Sequence, residues 1–248
     1  MIYRSFAAVY DDFMAGTDYA GWVDYIEEIF RRNGQKPGLV LELGCGSGSA
    51  TVIFKQRGYE MIGLDASAEM LSIARQKDAD ILYINQDMRC FELYGTVDAV
   101  ISLCDSMNYI LMRDDHLAVY RLVNNYLNPG GLFIFDMNTA YKYAAIGDRT
   151  MMRKSRGNYL IWDNRWYKDQ RVNEYRLTMF IKQGRLYERF RETHLQRAFG
   201  ISAVTNMLAD AGLELAGVYG NKTFDAPGPK AGRVFFVARK GTRHGFWP

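Results

Sequence analysis

Three glycines, Gly44, Gly46 and Gly48, stand in the run Glu42-Leu-Gly-Cys-Gly-Ser-Gly48, directly after the apolar stretch Leu39-Val-Leu-Glu-Leu43. A glycine-rich turn between a buried strand and a helix lets a ligand approach the backbone, and the helix N-terminus offers N–H groups without intrahelical partners. Asp65 lies 21 residues beyond Gly44, at the end of the next apolar run, Tyr59 to Asp65. That spacing suits a carboxylate accepting from both ribose hydroxyls of an adenosine. Three clustered glycines alone also describe a tight turn with no ligand. The strand before, the helix after and the acid at this distance carry the reading together.

A dinucleotide site prefers Gly-x-Gly-x-x-Gly, whose third glycine lets the helix pack close to a pyrophosphate. Ser49 occupies that position here, and the glycines instead run Gly-x-Gly-x-Gly. This counts against an NAD-dependent oxidoreductase. Further candidates are polar residues after later apolar runs. Asn108 and Tyr109 follow Val97 to Leu103, and Asn138 follows Leu132 to Asp136. His194 is a base, a substrate contact or a hydrogen-bonded structural histidine. Arg197 binds a substrate carboxylate or phosphate, or pairs with a nearby acid. His116 and His244 read as structural or tail residues.

The elements that must position these groups alternate. Strands are expected at Leu39–Leu43, Tyr59–Asp65, Ile81–Ile84, Val97–Leu103 and Leu132–Asp136, separated by helical stretches. Ser67 is placed to N-cap the second of these helices and Asp114 or Asp115 the next, with Asn128-Pro-Gly-Gly131 ending the latter. Such alternation implies an α/β, doubly wound parallel sheet, with ligands at the carboxyl ends of its strands. Trp22, Ile26, Ile29 and Phe30 fall at helical spacing and read as core. From about Gly157 to Leu195 three segments alternate with period two, as an antiparallel meander rich in Trp, Tyr and Arg. Ser202 then caps a last helix, and Leu213–Tyr219 and Arg233–Arg239 close the sheet. The expected division is 1–139 with 196–248 as core and 140–195 as an antiparallel β insertion.

With this loop and these acids the sequence resembles the class I, Rossmann-like S-adenosylmethionine-dependent methyltransferases. The resemblance covers most of the chain and extends to Gly63-Leu-Asp-Ala-Ser67, Gln86-Asp87-Met88, Asp98 and the Asn128-Pro-Gly-Gly turn. It implies seven strands with the last antiparallel, and S-adenosyl-L-methionine as cofactor. By position, Gly44, Gly46 and Gly48 underlie the methionine part, Glu42 and Cys45 of the same loop are cofactor contacts, Asp65 takes the ribose, and Ala66 and Met70 border the adenine. Asp87 and Met88 hold the adenine edge. Leu103, Cys104, Asp105 and Ser106 end the fourth strand beside the sulfonium, while Tyr10 and Tyr19 close over the cofactor. The insertion and Glu192-Thr-His-Leu-Gln-Arg197 are similar to a bacterial subgroup of small-molecule type. On that resemblance a small-molecule acceptor is expected, with Tyr109, Asn138, His194 and Arg197 as acceptor contacts and no catalytic group assigned.

Methyl transfer from a sulfonium is an in-line displacement that needs alignment and exclusion of water more than a metal or a dedicated base. No metal is expected. Apolar residues make up 48% of the 248, the net charge is +3, and Cys45, Cys90 and Cys104 form no Cys-x-x-Cys pair. These numbers speak for a globular cytoplasmic protein without a disulfide framework or zinc site. No apolar run reaches the ~20 residues of a membrane span. The basic excess is too mild to demand nucleic acid, and no Asn-Pro-Pro-Tyr-like segment follows the fourth strand. Alternatives kept open are an RNA methyltransferase and a cofactor-binding protein that acts through partners without turnover. The meander reads as a substrate cover, a homodimer surface or a base-stacking platform.

Overall fold

Every side chain after Leu39 in strand β1 (Leu39–Leu43) is buried. Continuous burial, not alternation, marks a strand covered on both faces. The computed structural model describes residues 7–242; His244 lies outside them. β2 (Glu60–Asp65), β3 (Leu82–Asn85), β4 (Val97–Ser102) and β5 (Leu127–Asn138) join β1 in parallel pairs. Later come β6 (Arg149–Ser155), β7 (Asn158–Tyr167), β8 (Val172–Gln183), β9 (Leu186–Arg197), β10 (Leu213–Gly220) and β11 (Arg233–Lys240). The main sheet runs β10-β11-β5-β4-β1-β2-β3, with β11 antiparallel to both neighbours. Seven strands with the last antiparallel is the expected architecture. Strand order reverses between β1 and β4, so their following loops diverge and open a crevice there.

Helices cover both faces. On one side α2 (Tyr19–Arg32), α3 (Ser49–Gln56) and α4 (Ala68–Lys77) bury Ile26, Ile29, Phe54 and Leu71 against Val40, Ala99 and Phe235. α2 opens where the Asp18 carboxylate accepts from Gly21 N–H, and its 3.6-residue period puts Trp22, Ile26, Ile29 and Phe30 inward. Truncating a side chain such as Ile29 there costs about 2–5 kcal/mol. On the other side α5 (Arg113–Tyr126) and α7 (Ile201–Asp210) pack Tyr120, Val123, Val204 and Leu208 on Phe133 and Phe135. Among the described residues no helix is long and apolar enough to cross a membrane.

β6 to β9 make a separate antiparallel sheet in simple order. Its inner face carries Leu160, Tyr175, Leu177 and Met179, packed against Val9 and Phe13 of α1 (Ala7–Met14) and Tyr143 of α6 (Ala140–Ile146). The alternation read in β8 is therefore real. Of the aromatics in this sheet, Trp166 stacks on Tyr143 with ring centroids 5.4 Å apart, whereas Tyr167 and Tyr187 are exposed.

Several elements depart from expectation. The meander has four strands, not three: Arg149–Ser155 is a largely exposed edge strand, so no buried face imposes alternation on it. Helix α6 precedes it. Ser202 does not cap α7; that position falls to Gly200, with Ser202 inside the first turn. Asp114 and Asp115 occupy the first turn of α5, behind Met112 at the cap. Asn128-Pro-Gly-Gly lies within β5, where the pairing jumps from Val97–Leu127 to Ala99–Leu132. Ser67 does cap α4, its hydroxyl accepting from Met70 N–H at 3.2 Å.

Candidate active site

At the carboxyl end of β1 the chain is clamped to its neighbour. Gly44 N–H and Cys45 N–H both donate to the Leu64 carbonyl, at 2.7 and 3.0 Å. Two later glycines do different work. Gly48 has φ +73°, and a Cβ there would meet Tyr83 Oη at 2.7 Å and Ala74 Cβ at 2.9 Å. It lets α3 start hard against α4. Gly46 has φ +55°, and a Cβ there would meet nothing within 4 Å, because it faces a cavity. The Asp65 carboxylate accepts from Gly46 N–H and Ser67 N–H, both at 2.8 Å. Burial pushes its pKa up, and these backbone donors pull against that rise.

The cavity beside the loop has a volume of about 610 Å³. Its floor is Glu42 and Gly44 to Gly46; its sides are Asp65, Ala66, Met70, Asp87 and Met88; Leu103, Cys104, Tyr10 and Tyr19 close the far end. Glu42 is buried and accepts from Thr51 Oγ1 at 2.5 Å, and burial raises its pKa to about 7. Asp87 is held by Arg89, whose Nη2 lies 2.6 Å from Oδ2, which keeps the carboxyl below its usual range. Tyr19 hydrogen-bonds Tyr10, and burial raises its hydroxyl to about 12. Gly48 stands behind this wall and Asp105 opens elsewhere. Arg89 and the Ile110–Met112 segment, not expected from the sequence, also line the cavity.

A second cavity, about 620 Å³, lies between α1, the inner face of the β6–β9 sheet and the ends of β4 and β5. The two share Tyr10, Cys104 and Tyr109. Asn138 and His194 line the second one, and so does Asp105. Arg197 lines neither: it donates to the Leu111 carbonyl at 2.9 Å and lies over Phe199. Asn108 is a buried pin that donates to the Asn138 and Arg197 carbonyls and accepts from Asn138 N–H.

Residues 40–131 match the family described as a methyltransferase domain. YqeM of Bacillus subtilis (strain 168) is 34% identical over 245 residues, spanning 97% of this chain and 98% of that one. The chain belongs to the class I S-adenosylmethionine-dependent methyltransferases. A crystal structure of an S-adenosylmethionine-dependent methyltransferase from Clostridium acetobutylicum ATCC 824 is similar with a TM-score of 0.85 and 26% identity, covering 96% of this chain and 99% of that one. The Streptomyces venezuelae dTDP-3-amino-3,4,6-trideoxy-alpha-D-glucopyranose N,N-dimethyltransferase is 30% identical over 132 residues, 52% of this chain and 56% of that protein.

In this methyltransferase the first cavity fits the family's cofactor, S-adenosyl-L-methionine. Asp65 at the end of β2 presents a carboxylate to it, Ala66, Met70 and Met88 give it an apolar wall, and the open space at Gly46 leaves the backbone bare. The second cavity contains groups that sequence reasoning missed. Arg233 reaches back from β11, donating to Asp105 Oδ1 at 2.7 Å and to Asp136. Asp136 Oδ2 accepts from Asp105 N–H at 2.9 Å, and Gln196 Nε2 donates to Asp105 Oδ2 at 2.8 Å. Burial raises Asp136 to about 6 despite Arg233. Cys104 and Asp105 both adopt positive φ, 57° and 59°. Two successive non-glycine residues so held are strained, and this cluster fixes them where the cavities meet. These contacts span 31 to 128 residues, so no local spacing signals them.

Proposed function

We propose that this methyltransferase acts on a small-molecule acceptor held in the second cavity, with the cofactor in the first. The carrying observation is that the two chambers meet at Tyr10, Cys104 and Tyr109. Bound cofactor supplies an electrophilic methyl group on its sulfonium. The protein's own work is alignment and exclusion of water. Asp65, already oriented by two backbone N–H groups, retains lone pairs for ribose hydroxyls. Asp87 and Met88 border the adenine. Glu42 is a buried carboxylate suited to a cationic ammonium.

Size supports a small acceptor. A chamber of about 620 Å³ falls within the ~300–1,000 Å³ typical of small-ligand pockets. The Streptomyces relative acts, by its name, on a nucleotide-linked amino sugar, which favours the same reading over a polymer acceptor. The test is transfer of tritium from S-adenosyl-[methyl-³H]methionine into separated metabolite, RNA and protein fractions. Label is expected in the low-molecular-weight fraction. Label confined to RNA or protein would contradict the proposal.

A further inference from the structure

The second cavity holds more positive than negative charge. Lys142, Arg153 and Arg233 line it, and Asp105 is its one carboxylate among the described residues. Asp105 is engaged within the protein: Oδ1 accepts from Arg233 at 2.7 Å and Oδ2 from Gln196 at 2.8 Å. Arg233 is likewise engaged with Asp105 and Asp136. Lys142 and Arg153 differ. An ammonium has three donors, and one of those on Lys142 goes to Asn138 Oδ1, a neutral acceptor, at 2.8 Å. Among the described residues neither Lys142 nor Arg153 forms an ion pair.

Strand periodicity aims Arg153 inward. Met151 and Arg153 are two apart on β6 and pair with Trp162 and Leu160, which belong to the sheet's inner face. The next cations in sequence turn elsewhere: Lys154 lies over the Tyr159 ring at 5.3 Å, and Arg156 pairs with Asp12 at 3.0 Å. Edge strands use inward-pointing charges to block pairing with another chain. That accounts for a cation on β6, but not for a second one, Lys142 of α6, lining the same space. Lys142 is half-buried; burial lowers its pKa and Arg233 adds to the fall. An anion beside it offsets both effects. The surroundings are polarised the same way. Residues 149–197, β6 through β9, hold 13 lysines and arginines against 5 acids, +8 in a chain of net +3, so the remainder sums to −5. A field of this sign draws anions toward the chamber.

We propose that the methyl acceptor carries an oxyanion, a carboxylate or a phosphate ester, which Lys142 and Arg153 bind away from the nucleophilic atom. The proposal rests on the reading of the second cavity as the acceptor site. The two cavities meet at Tyr10, Cys104 and Tyr109, whereas Lys142 and Arg153 line the second one alone. A guanidinium takes two oxygens of such a group in its fork, and the ammonium adds a point charge. Held by its anionic end, the acceptor presents its other end to the methyl group.

The test follows transfer from S-adenosyl-[methyl-³H]methionine by the full chain into the low-molecular-weight fraction of a bacterial extract, added as a dilution series. Arg153→Gln and Lys142→Met are expected to raise the extract concentration giving half-maximal transfer about 10–100-fold, the loss of a hydrogen bond between charged groups. Arg153→Lys and Lys142→Arg keep the charge and should lose less. S-adenosylhomocysteine affinity by calorimetry should stay within about twofold, since neither residue lines the cofactor cavity. Arg153 is exposed on an edge strand, so its variant keeps the fold even where Lys142→Met does not. Anion-exchange resin at pH 9 should strip the acceptor from the extract. Pretreatment with phosphatase and phosphodiesterase abolishes acceptor activity for a phosphate ester and spares it for a carboxylate. Unchanged half-saturation in both charge-removing variants, or an acceptor that passes through the resin, overturns the proposal, and Arg153 then guards the strand edge only. No label in the low-molecular-weight fraction, or label confined to RNA, with S-adenosylhomocysteine still bound, overturns the acceptor-site reading and this proposal with it.

Discussion

The Asp65 carboxylate accepts from Gly46 N–H at 2.8 Å, joining the end of β2 to the middle of the glycine loop. The proposed ribose anchor and the floor of the cofactor cavity are therefore one unit. A second backbone donor, Ser67 N–H at 2.8 Å, fixes the other oxygen. Asp65→Ala removes both anchors and the acceptor. A hydrogen bond to a charged group contributes about 1.5–3 kcal/mol. We expect S-adenosylhomocysteine binding to weaken roughly 10–100-fold by calorimetry.

Gly46 and Gly48 share a positive φ and differ in what surrounds them, so their alanine variants should fail differently. Gly48→Ala drives a methyl group toward Tyr83 and Ala74. Left-handed backbone costs about 1–2 kcal/mol for a non-glycine residue, and overpacking adds about 1–3 kcal/mol. Its melting temperature should fall by several degrees. Gly46→Ala meets no protein atom and carries only the backbone cost, but its methyl projects toward the cofactor. Cofactor affinity should drop by more than tenfold while the melt moves less. A reversed ranking would contradict the geometry.

The glycine loop, Asp65 and the parallel strands were legible in the sequence because each has a local cause. Buried strands need continuous apolar runs, and a sharp strand-to-helix turn needs glycine. The charged cluster beside the second cavity had no such cause. Arg233 comes from β11, Asp136 from β5 and Asp105 from the turn after β4, and they meet only once the sheet closes. β6 was invisible because its exposed residues need no alternation. Arg197 illustrates the converse: a charged residue beside a candidate site whose guanidinium donates to a carbonyl instead.

Glu42 gives a pH signature. Burial raises its pKa from an ordinary 4.5 to about 7. A raised folded-state pKa means the stabilisation is complete below about 4.5 and is lost as pH rises through about 7. Without ligand, Glu42→Gln should therefore be more stable than the wild type at pH 8, by up to about 3 kcal/mol. The difference should vanish toward pH 4. Chemical denaturation at the two pH values checks this, and a variant equally destabilised at both would contradict it.

Arg233 neutralises a carboxylate with no solvent access: the Asp136 side chain is 0% exposed. Removing one partner of a buried pair leaves an uncompensated charge and costs about 3–5 kcal/mol. Arg233→Met should be strongly destabilised at pH 8. Asp136 is raised to about 6 even with Arg233 holding it down, and losing that cation raises it further, so its protonation restores part of that loss as pH falls toward 5. A thermal melt series across this range reads it, and a pH-independent loss would indicate a packing defect only.

The most direct measurement for the account as a whole is isothermal calorimetry of the full chain with S-adenosylhomocysteine, run beside NAD. Saturable binding of one equivalent of S-adenosylhomocysteine, weakened in Asp65→Ala and absent for NAD, is the predicted result. No heat with S-adenosylhomocysteine, or saturable binding of NAD in its place, would contradict it.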